Sequence, residues 1–143
     1  MKYKAFVVAA CVVPCFALAA DKVSIFQKSL LQWAELPEPF LHTQIAAVDG
    51  DMAKEGPFIA RWRCPDNYKA APHTHPATEY FTVIEGTLLI AEGETFQESK
   101  LKPVSQGSSA IVPANKPHYG LCKGTTVIEI HATGPWGTTM LEK

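Results

Sequence analysis

The residues of this chain best suited to chemistry lie in one short stretch, PHTHPATEYFTVIEG, from Pro72 to Gly86. His73 and His75 are two apart, and Glu79 follows four residues after the second. All three offsets are even. On an extended strand even offsets place side chains on one face, so two imidazoles and a carboxylate can converge on a point. Neutral imidazole with carboxylate is a donor set that first-row transition metals accept. Further on, PANKPHYG sets His118 after a second turn, able to supply a fourth ligand from a neighbouring strand. An isolated histidine is more often packed or solvated, but this pair with its glutamate and closing glycine is a stronger coincidence.

The spacing His73-x-His75-x3-Glu79-x6-Gly86 resembles the first motif of the cupin superfamily, and Gly107-x5-Pro113 followed by His118 is similar to the second. The resemblance spans roughly residues 57–133. It implies an all-β fold, an antiparallel jelly-roll barrel, with a metal held inside by His73, His75, Glu79 and His118. Three positions depart from the pattern. Asn67 and Asn115 stand where the family has glycine, a mild change because asparagine tolerates left-handed turns. Cys122 replaces the closing asparagine of the second motif, a larger change.

The elements that must carry these residues read mainly as strands. In FIARWRC, Phe58, Ala60, Trp62 and Cys64 alternate with Ile59, Arg61 and Arg63, as in a strand with one buried face. Residues 43–48, 80–85, 87–91, 109–112, 119–122 and 126–131 are further candidates, and 136–141 a last one. Asp49-Gly50-Asp51 reads as a turn, Gly86 as the turn between two strands, and 95–102 as a loop or helical turn. Eleven prolines and nine glycines punctuate the chain, which favours a barrel or sandwich of short strands over βαβ units. Before them Val23, Phe26, Leu30 and Trp33 recur at helical spacing. This segment is either a short N-terminal helix or an irregular arm that tucks Trp33 against the barrel, ended by Pro37 and Pro39.

The first twenty residues have two early lysines, an apolar run and Ala17-Leu18-Ala19, the layout of a cleaved secretory signal peptide. The apolar run is short for a membrane span. Cleavage after Ala19 removes nineteen of 143 residues and leaves 124, residues 20–143, a single domain of ordinary size. It also removes Lys2 and Lys4, moving the formal charge from −1 to −3. No basic cluster remains to attract nucleic acid or anionic membrane. A periplasmic or extracellular location follows as the expectation, and a homodimer is left open. Of four cysteines, Cys64 and Cys122 remain. An oxidising compartment invites a disulfide, but two buried thiols are the favoured reading, since sequence does not bring their Cα atoms together.

Around the motif, Phe81 and Val83 share the face of Glu79, and Trp62 and Tyr119 are candidate pocket walls. His42 reads as a surface residue. Glu129 and His131, on one face of VIEIH, are candidates for a catalytic acid or base that is not a ligand. One divalent ion (Fe, Mn, Ni, Cu or Zn) suits the donors, and no nucleophile–base pair or nucleotide loop competes. The leading expectation is a metal-dependent, oxygenase-type oxidoreductase acting on a small organic molecule. The alternative is a non-catalytic cupin that binds or senses a small molecule or the metal.

Overall fold

The computed structural model describes Ala5–Phe6 and residues 22–141. Ten strands are hydrogen-bonded into one curled sheet: β1 (Ala5–Phe6), β2 (Ala34–Glu35), β3 (Gln44–Asp49), β4 (Gly56–Cys64), β5 (Lys69–Thr74), β6 (Glu79–Glu92), β7 (Lys102–Ser105), β8 (Ser109–Val112), β9 (His118–Gly134) and β10 (Thr138–Met140). All pairings are antiparallel. The signal-peptide expectation falls, apart from the backbone of β1, outside the described residues. Among those described, no helix is long and apolar enough to cross a membrane.

Two long strands hold the architecture together. The first half of β6 pairs with β8 and with the second half of β9, which continues through β4 to β3 and β2. The second half of β6 pairs with β7 and with the first half of β9, which continues through β5 to β10 and β1. β6 and β9 therefore run through both halves of a jelly roll, and β8 and β7 form one edge of each half. The strands bend where the ladder slips, between Val83 and Thr87. Gly86 sits there at φ +74°, and a Cβ on it would lie 2.7 Å from Thr126 Oγ1. Only glycine fits such a bend. The expected turn at Gly86 is thus a bulge inside one 14-residue strand. Likewise the two strands expected over 119–131 are one 17-residue strand, with Gly124 at φ +71° in its middle.

The alternation expected of FIARWRC is observed. Phe58, Ala60, Trp62 and Cys64 are buried, and they join Phe81, Val83, Leu88, Ile128 and Ile130 in the core between the two halves. Removing one such aromatic side chain costs about 3–5 kcal/mol by large-to-small precedent. The N-terminal segment is an arm, not a helix. A single 3-10 turn at Lys28–Leu30 precedes β2, and Trp33 tucks under the Arg63 guanidinium, 4.2 Å from its ring centre. Proline and β-branched residues near its ends leave too few helical turns to nucleate.

Cys64 and Cys122 form a disulfide, which corrects the expectation of free thiols. Their Cα atoms are 6.5 Å apart, within the range a disulfide spans. The approach comes from packing: Cys64 ends β4 while Cys122 lies in the half of β9 that pairs with β5 and β6. Asn67 N–H donates to Cys122 O and Cys122 N–H donates to Tyr68 O. The β4–β5 turn is therefore fastened to β9 both covalently and by its backbone.

Candidate metal centre

His73 lies near the end of β5, His75 just beyond it, Glu79 opens β6 and His118 opens β9. His73 and His118 are directly paired across the β5–β9 ladder. The second motif closes on the first through Asn115, which sits at φ +59° and donates its N–H to His75 O. Asn67, at φ +61°, holds the other left-handed turn. Both departures from glycine thus keep the conformation that glycine supplies. All four side chains are buried.

The hydrogen bonds of the imidazoles fix which nitrogen faces the centre. Nδ1 of His73 is 2.7 Å from Ala71 O, Nδ1 of His75 is 2.9 Å from Gly137 O, and Nδ1 of His118 is 2.9 Å from Lys116 O. A carbonyl only accepts, so each Nδ1 carries the proton and each Nε2 keeps its lone pair. One ligating nitrogen from each ring can be taken so that the three lie within 4.8 Å of one another. Glu79 Oε2 is 3.7 Å from His118 Nε2 and 4.0 Å from His75 Nε2. These gaps exceed a hydrogen bond. The three histidines form the cluster that could hold an ion, and Glu79 stands at its edge, outside the mutual 4.8 Å spacing of the rings.

Electrostatics leave the same gap for a cation. Burial pushes the His73 imidazolium well below its ordinary range, helped by the neighbouring His118 and His75. Burial lowers His75 to about 3 against the pull of its Gly137 hydrogen bond, and lowers His118 likewise. Burial raises Glu79 to about 7. Three neutral bases and one carboxyl short of a countercharge are a donor set that a divalent cation completes. Around it, Trp136 stacks on His75 at 4.2 Å, Thr138 Oγ1 lies 3.3 Å from His75 Nδ1, and Phe40 meets His73 edge-on. Sequence reasoning missed these three. Trp136 follows Gly134-Pro135, so no local periodicity marks it as a neighbour of the motif.

The four residues line a cavity of about 100 Å³. Its walls include Trp62, Phe81, Tyr119 and Ile128, as well as Ile130 and Trp136. Val83, expected in the lining, is fully buried in the core and does not border the cavity. His42 is exposed, as expected, in a left-handed turn at φ +68°.

The Cupin domain family model matches residues 61–133. This chain belongs to the cupin family. Among solved structures, this cupin is similar to the polyketide cyclase RemF from Streptomyces resistomycificus (TM-score 0.64, 17% identity, 81% of this chain and 84% of that one). It is similar also to KdgF from Halomonas sp. (TM-score 0.60, 16% identity, 79% and 96%). A third is an RmlC-like cupin from Shewanella frigidimarina (TM-score 0.60, 12% identity, 78% and 91%). At these identities the likeness is one of fold. No curated protein matches the cupin in sequence.

Glu129 and His131, the candidate acid or base, stand elsewhere in this cupin. Ile128 and Ile130 of β9 face the cavity, and neither Glu129 nor His131 lines it. Glu129 accepts from Arg61 Nε at 2.8 Å, with His131 Nε2 3.3 Å from its other oxygen. The three form a polar cluster across β4 and β9, where Arg61 and Glu129 are register partners.

Proposed function

We propose that this cupin is a metal-dependent enzyme of oxygenase type acting on a small organic molecule, with one divalent transition ion held by His73, His75, Glu79 and His118. The observation that carries it is the set of three Nε2 lone pairs, fixed by three backbone carbonyls, in the wall of a mostly apolar cavity. Iron, manganese, nickel, copper and zinc all accept this donor set. Bound there, such an ion supplies open positions for substrate or O2 and Lewis-acid polarisation.

The chain's own part is to bind and to exclude water. Trp62, Phe81 and the two β9 isoleucines give the substrate an apolar seat. A cavity of about 150 Å³ admits benzene, so about 100 Å³ favours a short aliphatic fragment over a fused ring system. The cyclase activity named for RemF is a weaker guide. Abstracting a proton from carbon asks for a base within reach. Among the described residues lining the cavity, the one ionisable group besides the four is Tyr119, whose hydroxyl donates to Gln97 O at 3.2 Å. Export through the signal peptide is part of the proposal, and the Cys64–Cys122 disulfide supports it, because disulfides persist in oxidising compartments.

Metal analysis of purified protein comes first, expected to give about one transition ion per chain. Azide is then added to the iron- or cobalt-substituted form, and O2 uptake is screened with small acids, thiols and phenols. A spectral response with O2 consumption is the expected result. A spectral response with no turnover in any screen supports the alternative, a binding or sensing cupin. A metal spectrum blind to high azide sinks both and leaves the ion a structural staple.

A further inference from the structure

A second, wider cavity of about 560 Å³ opens where the two halves of the jelly roll meet at their edges. One side is β8, with Ala110 and Val112, and the other is the end of β6 with the chain entering β7. Residues directly opposite in an antiparallel ladder share a face. Val112 pairs with Glu79 and Ala110 with Phe81, so both point inward. Lys102 pairs with Ile90, whose side chain borders the inner cavity. Lys102 therefore stands on the inward side of an edge strand. The seam and the inner cavity share two walls, Ile90 and His118.

The charges of this seam are one-sided. Lys100, Lys102 and Lys116 line it against a single acid, Glu92, which Lys116 engages at 2.5 Å. Lys100 and Lys102 have no ion-pair partner among the described residues. A cationic seam on a chain of net charge −1 is local placement, not bulk composition. A cleft lined by one sign of charge concentrates ligands of the other. Among the described strands, β8 and β7 each pair only with β6.

We propose that the substrate class is a short-chain aliphatic carboxylate, its hydrocarbon part seated in the inner cavity and its carboxylate read by Lys100 and Lys102 in the seam. This rests on the metal-centre reading for the reacting end and adds which molecules reach it. Apolar walls alone cannot choose between a hydrocarbon acid and its alcohol or amide. The lysines supply that choice.

The purified protein, its metal content measured, is titrated at low ionic strength with butanoate and hexanoate and with the corresponding amides. The fluorescence of Trp62 and Trp136, both in the cavity wall, reports binding. The acids should bind about tenfold tighter than their amides, hexanoate tighter than butanoate. In Lys100→Gln/Lys102→Gln, or in about 0.5 M salt, the preference for the acid should fall to about threefold or less. Both lysines are exposed, so the variant keeps the fold. An undiminished preference in the variant would place the carboxylate on the ion and overturn the proposal, as would equal binding of acid and amide. A variant that self-associates while keeping its acid preference would leave the lysines as edge guards only. A metal-free protein that still prefers acids through these lysines would sink the metal reading and keep this one.

Discussion

His73 and His118, 45 positions apart in the chain, are direct partners across the β5–β9 ladder, with ring centroids 4.2 Å apart. The ladder, rather than the loop between them, sets their spacing. A ladder pair is stiff, and three of the candidate donors, His73, Glu79 and His118, stand on strands, while His75 lies just past the end of β5.

That relationship predicts how ligand variants behave. His75→Ala and His118→Ala should each lower metal content by about tenfold or more, by elemental analysis after dialysis. Thermal stability should fall only as far as the ion stabilises the folded chain. His42→Asn, which keeps a residue tolerant of φ +68°, should change neither. Metal lost in the His42 variant and kept in the His75 variant would reverse the assignment.

Glu79 predicts a pH dependence for chelator-treated protein. Burial lifts its carboxyl from the ordinary 4.5 to about 7. Its folded value is above its unfolded one, so its contribution is full below about 4.5 and is lost as pH rises through about 7. Metal-free Glu79→Gln should therefore gain on the metal-free parent between pH 4.5 and 8, by on the order of 3 kcal/mol. Denaturant midpoints across that range test it, and a constant gap between the two proteins would refute it. His75 acts with the opposite sign in both proteins, full above the ordinary 6.5 and lost as pH falls toward about 3.

The disulfide encloses a sequence separation of 58 residues. Chain-entropy reasoning gives about 4 kcal/mol for a loop of that length. Cys64→Ala/Cys122→Ala should lower the unfolding free energy by that order, read from denaturant curves. Both sulfurs are buried, so reductant without denaturant should leave the bond intact on the timescale that reduces the unfolded chain. Rapid reduction of the folded protein would contradict the burial.

Glu129 and His131 provide a negative test. His131 is exposed on the face of β9 away from the cavity. His131→Ala should leave metal content and ligand affinity unchanged and shift stability by about 0.5 kcal/mol or less. A loss of turnover in that variant with metal retained would return His131 to the mechanism.

The approach of the first three candidate donors was legible because its information is local. His73, His75 and Glu79 lie within seven residues, and parity alone predicts their convergence. Asn67 and Asn115 were legible for a similar reason, since left-handed tolerance is a property of the residue. Parity failed at VIEIH because Val127, Ile128 and Ile130 are all buried, beside a slip in the ladder. Apolar residues of both parities then hide which face is inward. Gly86 looked like a turn because a bulge asks for the same positive φ. The disulfide and the Trp136–His75 stack depend on strands meeting from distant parts of the chain, which no local pattern records.

The three carbonyls that hold Nδ1 of the histidines have one more consequence. Ala71 and Lys116 each lie two residues before the ring they orient, and Gly137 lies just before β10. None of these bonds involves an ion. The rings are therefore aimed without an ion, and a centre of the proposed kind could be discharged and recharged with the chain still folded. On the proposed reading, the ion bound there would be set by supply and by the rate of ligand exchange, with folding already complete.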